Sequence, residues 1–508
     1  MNRTRASINK TVGILALVLL AWALGAAGLA RAGSGAESGD GTAVGESRVL
    51  ARVEIPGVLQ DLDLPVYAHL IDGQGGSYAL AIAPLETLQA GGFSFQVIAA
   101  HRAGNRYILA GAPLGRSRGS LDPGIPVLHD DGRTFIIGYE TGRIEALIKQ
   151  GFQASLLRQA PLVVMRPAAA GVAADEIETE FVADPVVKQM MDAVTEADLE
   201  KTIGELSGAR EAVIGGEPYT FRTRYTRSGP PIEKATQYVF ERFDALGLSP
   251  TYHYWTFDVF SGRNIIAELP GRDAPDEIIL LTAHVDSITR DMISYQDDAP
   301  GADDNAGGCA AILAAAEIMR HHAFERTIRF AVFSGEELGL LGSAAYASSA
   351  AGEKIVAVIN LDMIAYSTNA NRAMALLTRT EADEGQALDR KIADLYLDVV
   401  AQYGLDGALA PTVFMHDSPS SDHYSFWTEG FPAILAVEDF VNDFNPYYHS
   451  KKDTIDKLNF SYCRAQTQAL LGSAAHLADY KSANPTWTAP AGLSSKAAGC
   501  WISTAWGP

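Results

Sequence analysis

Three apolar runs in this chain each stop at a chelating side chain. Residues 277–283, EIILLTA, lead into His284-Val285-Asp286. Residues 327–333, TIRFAVF, lead through Ser334-Gly335 into Glu336-Glu337. Residues 354–361, KIVAVINL, lead into Asp362. Short runs so dominated by apolar residues read as strands of a buried, parallel sheet. An open parallel sheet binds ligands in the crevice outside the carboxyl ends of its strands. The pattern therefore predicts that His, Glu and Asp meet in one crevice.

Two further segments belong with these three. Gly301-Ala302-Asp303-Asp304-Asn305 precedes the helical run AGGCAAILAAAEIMR, so its acids fall where a helix begins. The run PAILAV (432–437) leads into EDFVNDFNPYYHSKKDT, which places His449 in a loop after a strand. A lone strand-end histidine or a lone acidic pair is usually structural. Five such pieces in sequence order point instead to a metal centre. The donors are imidazole and carboxylate, with no thiolate. Such a set suits zinc, manganese or cobalt in an open catalytic site. Three carboxylates and two histidines exceed what one tetrahedral ion needs. They suit two ions with a shared carboxylate.

The rest of the chain frames this centre. The 508 residues are 47% hydrophobic and 20% charged, which excludes a disordered or collagen-like chain. The net charge of -21 repels phosphate backbones, so no nucleic-acid partner is expected. Residues 1–32 carry Arg3, Arg5 and Lys10, then an apolar stretch, then Ala30-Arg31-Ala32. This is the layout of a signal peptide, so the protein is expected to be secreted or periplasmic. Left uncleaved, the same segment would anchor the chain to a membrane. Residues 33–47 read as a flexible leader. Residues 48–168 hold short strand-like runs, with two similar stretches at 78–99 and 134–157. They read as a small α/β domain of ferredoxin-like type, accessory or pro-domain in role, with no chemistry of its own. Residues 169–199 read as a helical connector, 200–482 as an α/β catalytic domain, and 483–508 as a tail. The helices expected there include 231–246, 306–322, 384–403 and 461–480. Of the three cysteines, Cys309 reads as a buried thiol and only Cys463–Cys500 could pair.

The segments AHVDS, PGADDNAGG, FSGEELGLLGS, NLDM, SDHYSFW and FNPYYHSKKDT together resemble the secreted co-catalytic di-zinc aminopeptidases of the bacterial leucyl aminopeptidase type. The resemblance spans roughly residues 200–480. It implies a mixed, twisted β-sheet flanked by helices, two Zn2+ ions per chain, and peptide substrates with a free N-terminus. It implies that Asp304 bridges the ions, with His284 and Asp362 on one and Glu337 and His449 on the other. Glu336 would be the general base, and Asp286 would orient the His284 ring. Met363, Leu435, Val437, Val441, Phe444 and Tyr448 would form an apolar pocket for the first side chain. The loop 415–423 lacks the disulfide and tyrosine of well-studied relatives, so a strict leucine preference is not implied. His416 is expected at the pocket rim, and Asp422 and His423 are expected to shape the loop. The alternatives are a metallo-carboxypeptidase or dipeptidase, a glutaminyl cyclase-like transferase, and a receptor-like domain without catalysis. A clamp for a substrate carboxylate would need a cation, and Arg372 and Arg379 are the nearest in sequence.

Overall fold

The computed structural model describes residues 47–480 except 56, 114–118, 163–180, 369–371, 384 and 417–418. The expected signal peptide, leader, tail and Cys500, and most of the connector before residue 181, lie outside the described residues. Among the described residues no helix is long and apolar enough to cross a membrane.

The first part of the chain is a repeat. Strands β1 (Arg48–Glu54), β2 (Val66–Ile71) and β3 (Ser77–Pro84), helix α1 (Leu85–Ala90) and strand β4 (Phe95–His101) form one antiparallel sheet in the order β2-β3-β1-β4. Strands β5 (Tyr107–Gly111), β6 (Val127–Asp130) and β7 (Thr134–Gly138), helix α2 (Arg143–Lys149) and strand β8 (Gln153–Leu156) repeat it in the order β6-β7-β5-β8. Both hairpins turn on an aspartate whose carboxylate accepts backbone N–H groups: Asp72 from Gln74 and Gly76, Asp131 from Arg133 and Thr134. The two similar sequence stretches are thus β3-α1-β4 and β7-α2-β8. The ferredoxin-like expectation is corrected: there are two four-stranded sheets with one helix each, not one sheet with two. The reason is local. The link from β1 to β2 carries Pro56, Gly57 and Pro65 and has no helical period; among its described residues it holds only a three-residue 3-10 turn, Leu59–Asp61, and no α-helix.

Alternation along β5 decides how the second sheet packs. Tyr107 and Leu109 face the first sheet, in a core with Leu50, Tyr78 and Leu80. Ile108 and Ala110 face the other way. They join Phe135, Ile144, Leu147 and Phe152 in a core with Tyr225, Trp255, Phe260, Ile288, Met292, Leu338 and Leu341.

Helices α3 (Pro185–Asp192) and α4 (Glu196–Leu206) follow, then the hairpin of β9 (Ala212–Ile214) and β10 (Glu217–Tyr219), and helix α5 (Pro230–Ala245). The large sheet is built from β11 (Thr251–Phe257), β12 (Phe260–Leu269), β13 (Ala274–His284), β14 (Arg326–Phe333), β15 (Lys354–Leu361), β16 (Ala373–Thr378), β17 (Ala410–Met415) and β18 (Ala433–Glu438). Its order is β11-β12-β14-β13-β15-β18-β16-β17. The central four, β14-β13-β15-β18, are parallel, and antiparallel pairs at β12 and β16 make the sheet mixed. Helices α6 (Gly308–Met319), α7 (Leu341–Ser349), α8 (Gln386–Gln402), α9 (His423–Thr428) and α10 (Phe460–Leu477) cover it. Ile279, Leu281 and Ala283 of β13 pack on one face with α3, α4, α5, α6, α8 and α10. Ile278 and Leu280 pack on the other with α7 and α9. Burying each such large side chain contributes about 1.5–3 kcal/mol.

Candidate active site

Strand register aligns the donors. His284 ends β13 opposite Phe333, the last residue of β14, and Thr282 of β13 lies opposite Asn360 of β15. Two residues beyond that pair stand His284 and Asp362. After Phe333 the chain turns through Gly335, whose φ of +82° and whose closeness to Trp255 leave no room for a side chain. The turn delivers Glu336 and Glu337. Asp303 and Asp304 lie in the turn Ala302–Gly307 that leads into α6, where the backbone leaves helical dihedrals at Asp304 (φ -106°, ψ 89°) and Asn305 (φ -136°, ψ 49°). His449 sits at a positive φ of 51° in the loop after β18, and Met363 at 53° directly after Asp362. Both are side-chain-bearing residues in a region few such residues adopt.

The adjacent aspartates divide their work. The Asp303 carboxylate accepts from the backbone N–H of Ala365 and Tyr366 and from the Asn445 amide, at 2.8, 3.0 and 2.9 Å. It is spent on holding loops together. Asp304 is left for the site. Its Oδ1 lies 3.3 Å from His284 Nε2, and its Oδ2 lies 3.2 Å from His449 Nε2. His284 Nε2 is also 3.3 Å from Asp362 Oδ1, and His449 Nε2 is 2.8 Å from Glu337 Oε2. Donor atoms of His284, Glu336 and Asp362 lie within 4.8 Å of one another, and so do those of His284, Asp304 and Glu337. The structure thus brings all five expected ligands and Glu336 together. Asp286 is close as well. The His284 Nδ1 lies 3.2 Å from its backbone carbonyl and 3.6 Å from its carboxylate. That carboxylate also accepts the N–H of Glu336 and Glu337 and the Thr226 hydroxyl.

Every one of these groups is buried. Burial lifts the Glu336 carboxyl well above its ordinary range; His284 opposes the lift, and Glu337 and Asp362 add to it. Burial, with Asp304 beside it, pushes Glu337 up to about 7. Burial presses His449 down, but Glu337 and Asp304 outweigh it and raise the imidazole to about 9. Burial pushes Asp304 up, but the His284 and His449 imidazoles beside it outweigh that push and hold it below its usual range. Asp304 Oδ2 and Glu337 Oε1 are buried without a well-formed hydrogen bond. Crowded carboxylates with lone pairs left over are what a divalent cation takes up, so the donor set fits metal.

Several supports were not legible in the sequence. Arg224 is fully buried, and its guanidinium donates to the carbonyls of Leu206, Val285, Pro300 and Gly301, which fixes the loops around Asp286 and Asp304. Asp453 accepts the backbone N–H of both Asp303 and Asp304. It stands four residues after His449, inside the HSKKD segment, which was the one available signal.

A small cleft opens onto the donors. Met363, Leu435, Val437, Phe444 and Tyr448 line it, alongside Ser420, Asp304, Glu336, Asp362 and His449. Val441 does not: it is 53% exposed, because the Asp439 carboxylate accepts the N–H of Val441 and Asn442 in a turn. His416 also stays out of the lining and accepts from Arg133 of the hairpin β6–β7. Two lining residues come from the N-terminal repeat, where the sequence suggested no chemistry: Gln153 of β8 and Pro113 in the link just after β5. Arg379 is engaged by a buried bidentate pair with Asp389, and Arg372 by the carbonyls of Asp406 and Gly407.

Residues 264–473 match the model of peptidase family M28. Leucine aminopeptidase 1 of Aspergillus oryzae is 31% identical over 280 residues, which cover 51% of this chain and 68% of that protein. The chain belongs to peptidase family M28. A probable leucine aminopeptidase of Trichophyton verrucosum is 28% identical over 264 residues, 50% of this M28 chain and 68% of the relative. Among solved structures, the LapA aminopeptidase of Legionella pneumophila shares the fold with a TM-score of 0.56 at 18% identity, over 74% of this chain and 99% of LapA. LapB of the same organism gives 0.55 at 20% identity, over 74% and 99%.

Proposed function

We propose that this M28 chain, a metalloaminopeptidase, works through two zinc ions and is exported. One ion would be held by His284, Asp304 and Asp362, the other by Asp304, Glu337 and His449. The observation that carries two ions is the Asp304 carboxylate, one oxygen toward each imidazole at 3.3 and 3.2 Å. When bound, such a pair of ions lowers the pKa of a water and polarises the scissile carbonyl. Glu336, free of a ligand role and biased by burial toward holding a proton, takes the proton of the attacking water and hands it to the leaving amine. Asp286 holds His284 in orientation, as partners of metal-ligating histidines do. Met363, Leu435, Val437, Phe444 and Tyr448 favour an apolar first side chain. Export rests on the basic-then-apolar order of residues 1–32 and the Ala30-Arg31-Ala32 site.

The test is hydrolysis of leucyl-nitroanilide and of a leucine-initiated peptide, each with a free and an acetylated N-terminus. Only the free forms are expected to be cut. Equal cleavage of acetylated peptide would overturn the reading.

A second reading, a dipeptidase, draws on Arg290. Its guanidinium lies 5.5 Å from the ring centre of cleft-lining Tyr448, with Nε and Nη2 buried and unbonded. A cation there would pair with the carboxylate of a two-residue substrate. A strong preference for Leu-Gly over its amide would favour this reading.

A further inference from the structure

We infer that the second sheet of the N-terminal repeat is a permanent wall of the substrate cleft, and that Gln153 at the start of β8 is a specificity-determining residue. This rests on the aminopeptidase reading and goes beyond it. A segment that blocks a cleft and is later removed should touch its enzyme through a surface that both partners can leave exposed. This sheet does the opposite. Phe135, Leu147 and Phe152 share a single apolar core with Trp255, Phe260 and Leu338 of the catalytic part. Removing the sheet would leave both halves of that core in water, which is strongly unfavourable.

Polar contacts tie the same seam. Glu145 of α2 pairs with Arg227 at 2.9 Å and accepts the Tyr225 hydroxyl at 2.5 Å. Arg158 pairs with Glu429 at 2.8 Å. Arg133 donates to His416 at 2.9 Å.

Gln153 stands where the wall meets the cleft. It lines the cavity beside Met363, Leu435 and Tyr448. Its side-chain nitrogen donates to the carbonyl of Ser420 at 2.6 Å, in the loop just before α9. A carbonyl can only accept, so the amide must present its NH2 there, and the side chain is pinned in one pose. A pinned five-atom side chain lining so small a cleft limits what fits. Pro113, just after β5, lines the same cleft.

The experiment compares kcat/KM on leucyl- and phenylalanyl-nitroanilide for the zinc-loaded full chain, for Gln153→Ala and for Gln153→Met. Removing the bulk should raise the ratio of phenylalanyl to leucyl turnover at least about fivefold, since changes of a methylene or more in a pocket are worth that much or more. The near-isosteric methionine should hold the ratio within about twofold. The mass of the active protein, measured intact, should still include residues 107–157. An unchanged ratio in Gln153→Ala, or an active form lacking that sheet, would overturn the inference. Absence of turnover by the wild-type chain on either substrate would instead strike the aminopeptidase reading.

Discussion

The backbone N–H of Asp304 donates to the Asp453 carboxylate at 3.1 Å. The same carboxylate receives the N–H of Asp303 at 3.2 Å. One loop therefore supplies His449 as a donor and, four residues on, the acid that fixes the proposed bridging aspartate from behind. Replacing Asp453 by alanine leaves two buried N–H groups unpaired and frees Asp304 to rotate. Zinc affinity should fall about 10–100-fold, as when the partners of ligands are removed elsewhere. Competition titration against a fluorescent chelator measures this; wild-type affinity in the variant would remove Asp453 from the positioning role.

Glu336 donates no atom to the proposed ion set, so Glu336→Gln should retain both ions. Its rate should drop by about 10²–10⁴, the usual worth of a positioned acid–base group. Metal analysis and kcat on the same preparation separate the two effects. A variant that turned over normally would require another base.

Protons compete with metal in this cage. Without metal, Glu337 and Asp304 outweigh burial and raise His449 to about 9, so it holds a proton below neutrality and must release it to bind an ion. Zinc affinity should therefore fall at least about tenfold for each pH unit below 7. Calorimetry in buffers of different ionisation enthalpy counts the released protons. A pH-independent affinity between 5 and 7 would contradict the ligand set. Chelator should abolish activity, and about two zinc ions per chain should restore it.

His423 gives the fold its own acid sensitivity. It is fully buried, edge-on to Trp427 at 4.4 Å, and burial pushes its imidazole down to about 3. In the unfolded chain it titrates near 6.5, so between 6.5 and 3 the unfolded state binds a proton that the folded state refuses. Stability is then full above about pH 6.5 and is lost as pH falls, at up to about 1.4 kcal/mol per pH unit. Urea unfolding of the metal-free protein at pH 7 and 5, compared with His423→Phe, should show a shallower loss in the variant. Parallel losses would place the sensitivity elsewhere.

The centre of the fold was readable because its strands are buried on both faces. EIILLTA, TIRFAVF, KIVAVINL and PAILAV all fall on the central parallel strands of the large sheet. The edge strands β11 and β17 escaped notice, since TYHYWTF and APTVFM mix polar and apolar residues as half-exposed edges do. Helix α7, LGSAAYASS, has small residues and no clear apolar stripe. The donors were readable because each follows a strand end. Arg224 and Gln153 were not, because their partners lie 18 to 77 and 267 residues away, and nothing local marks a residue whose use depends on such distant contacts. Val441 is exposed in a turn held by the Asp439 carboxylate, and apolar character alone does not tell an exposed turn residue from a pocket residue.

The core that joins β5, β7 and α2 to Trp255 and Phe260 has a consequence for how the molecule fails. Heat or denaturant that loosens this seam would strip the cleft of one side and uncover the turn at Gly335 in the same event. The protein should then melt as one body, losing its ions and its selectivity together, with no stage at which a bare catalytic half works alone.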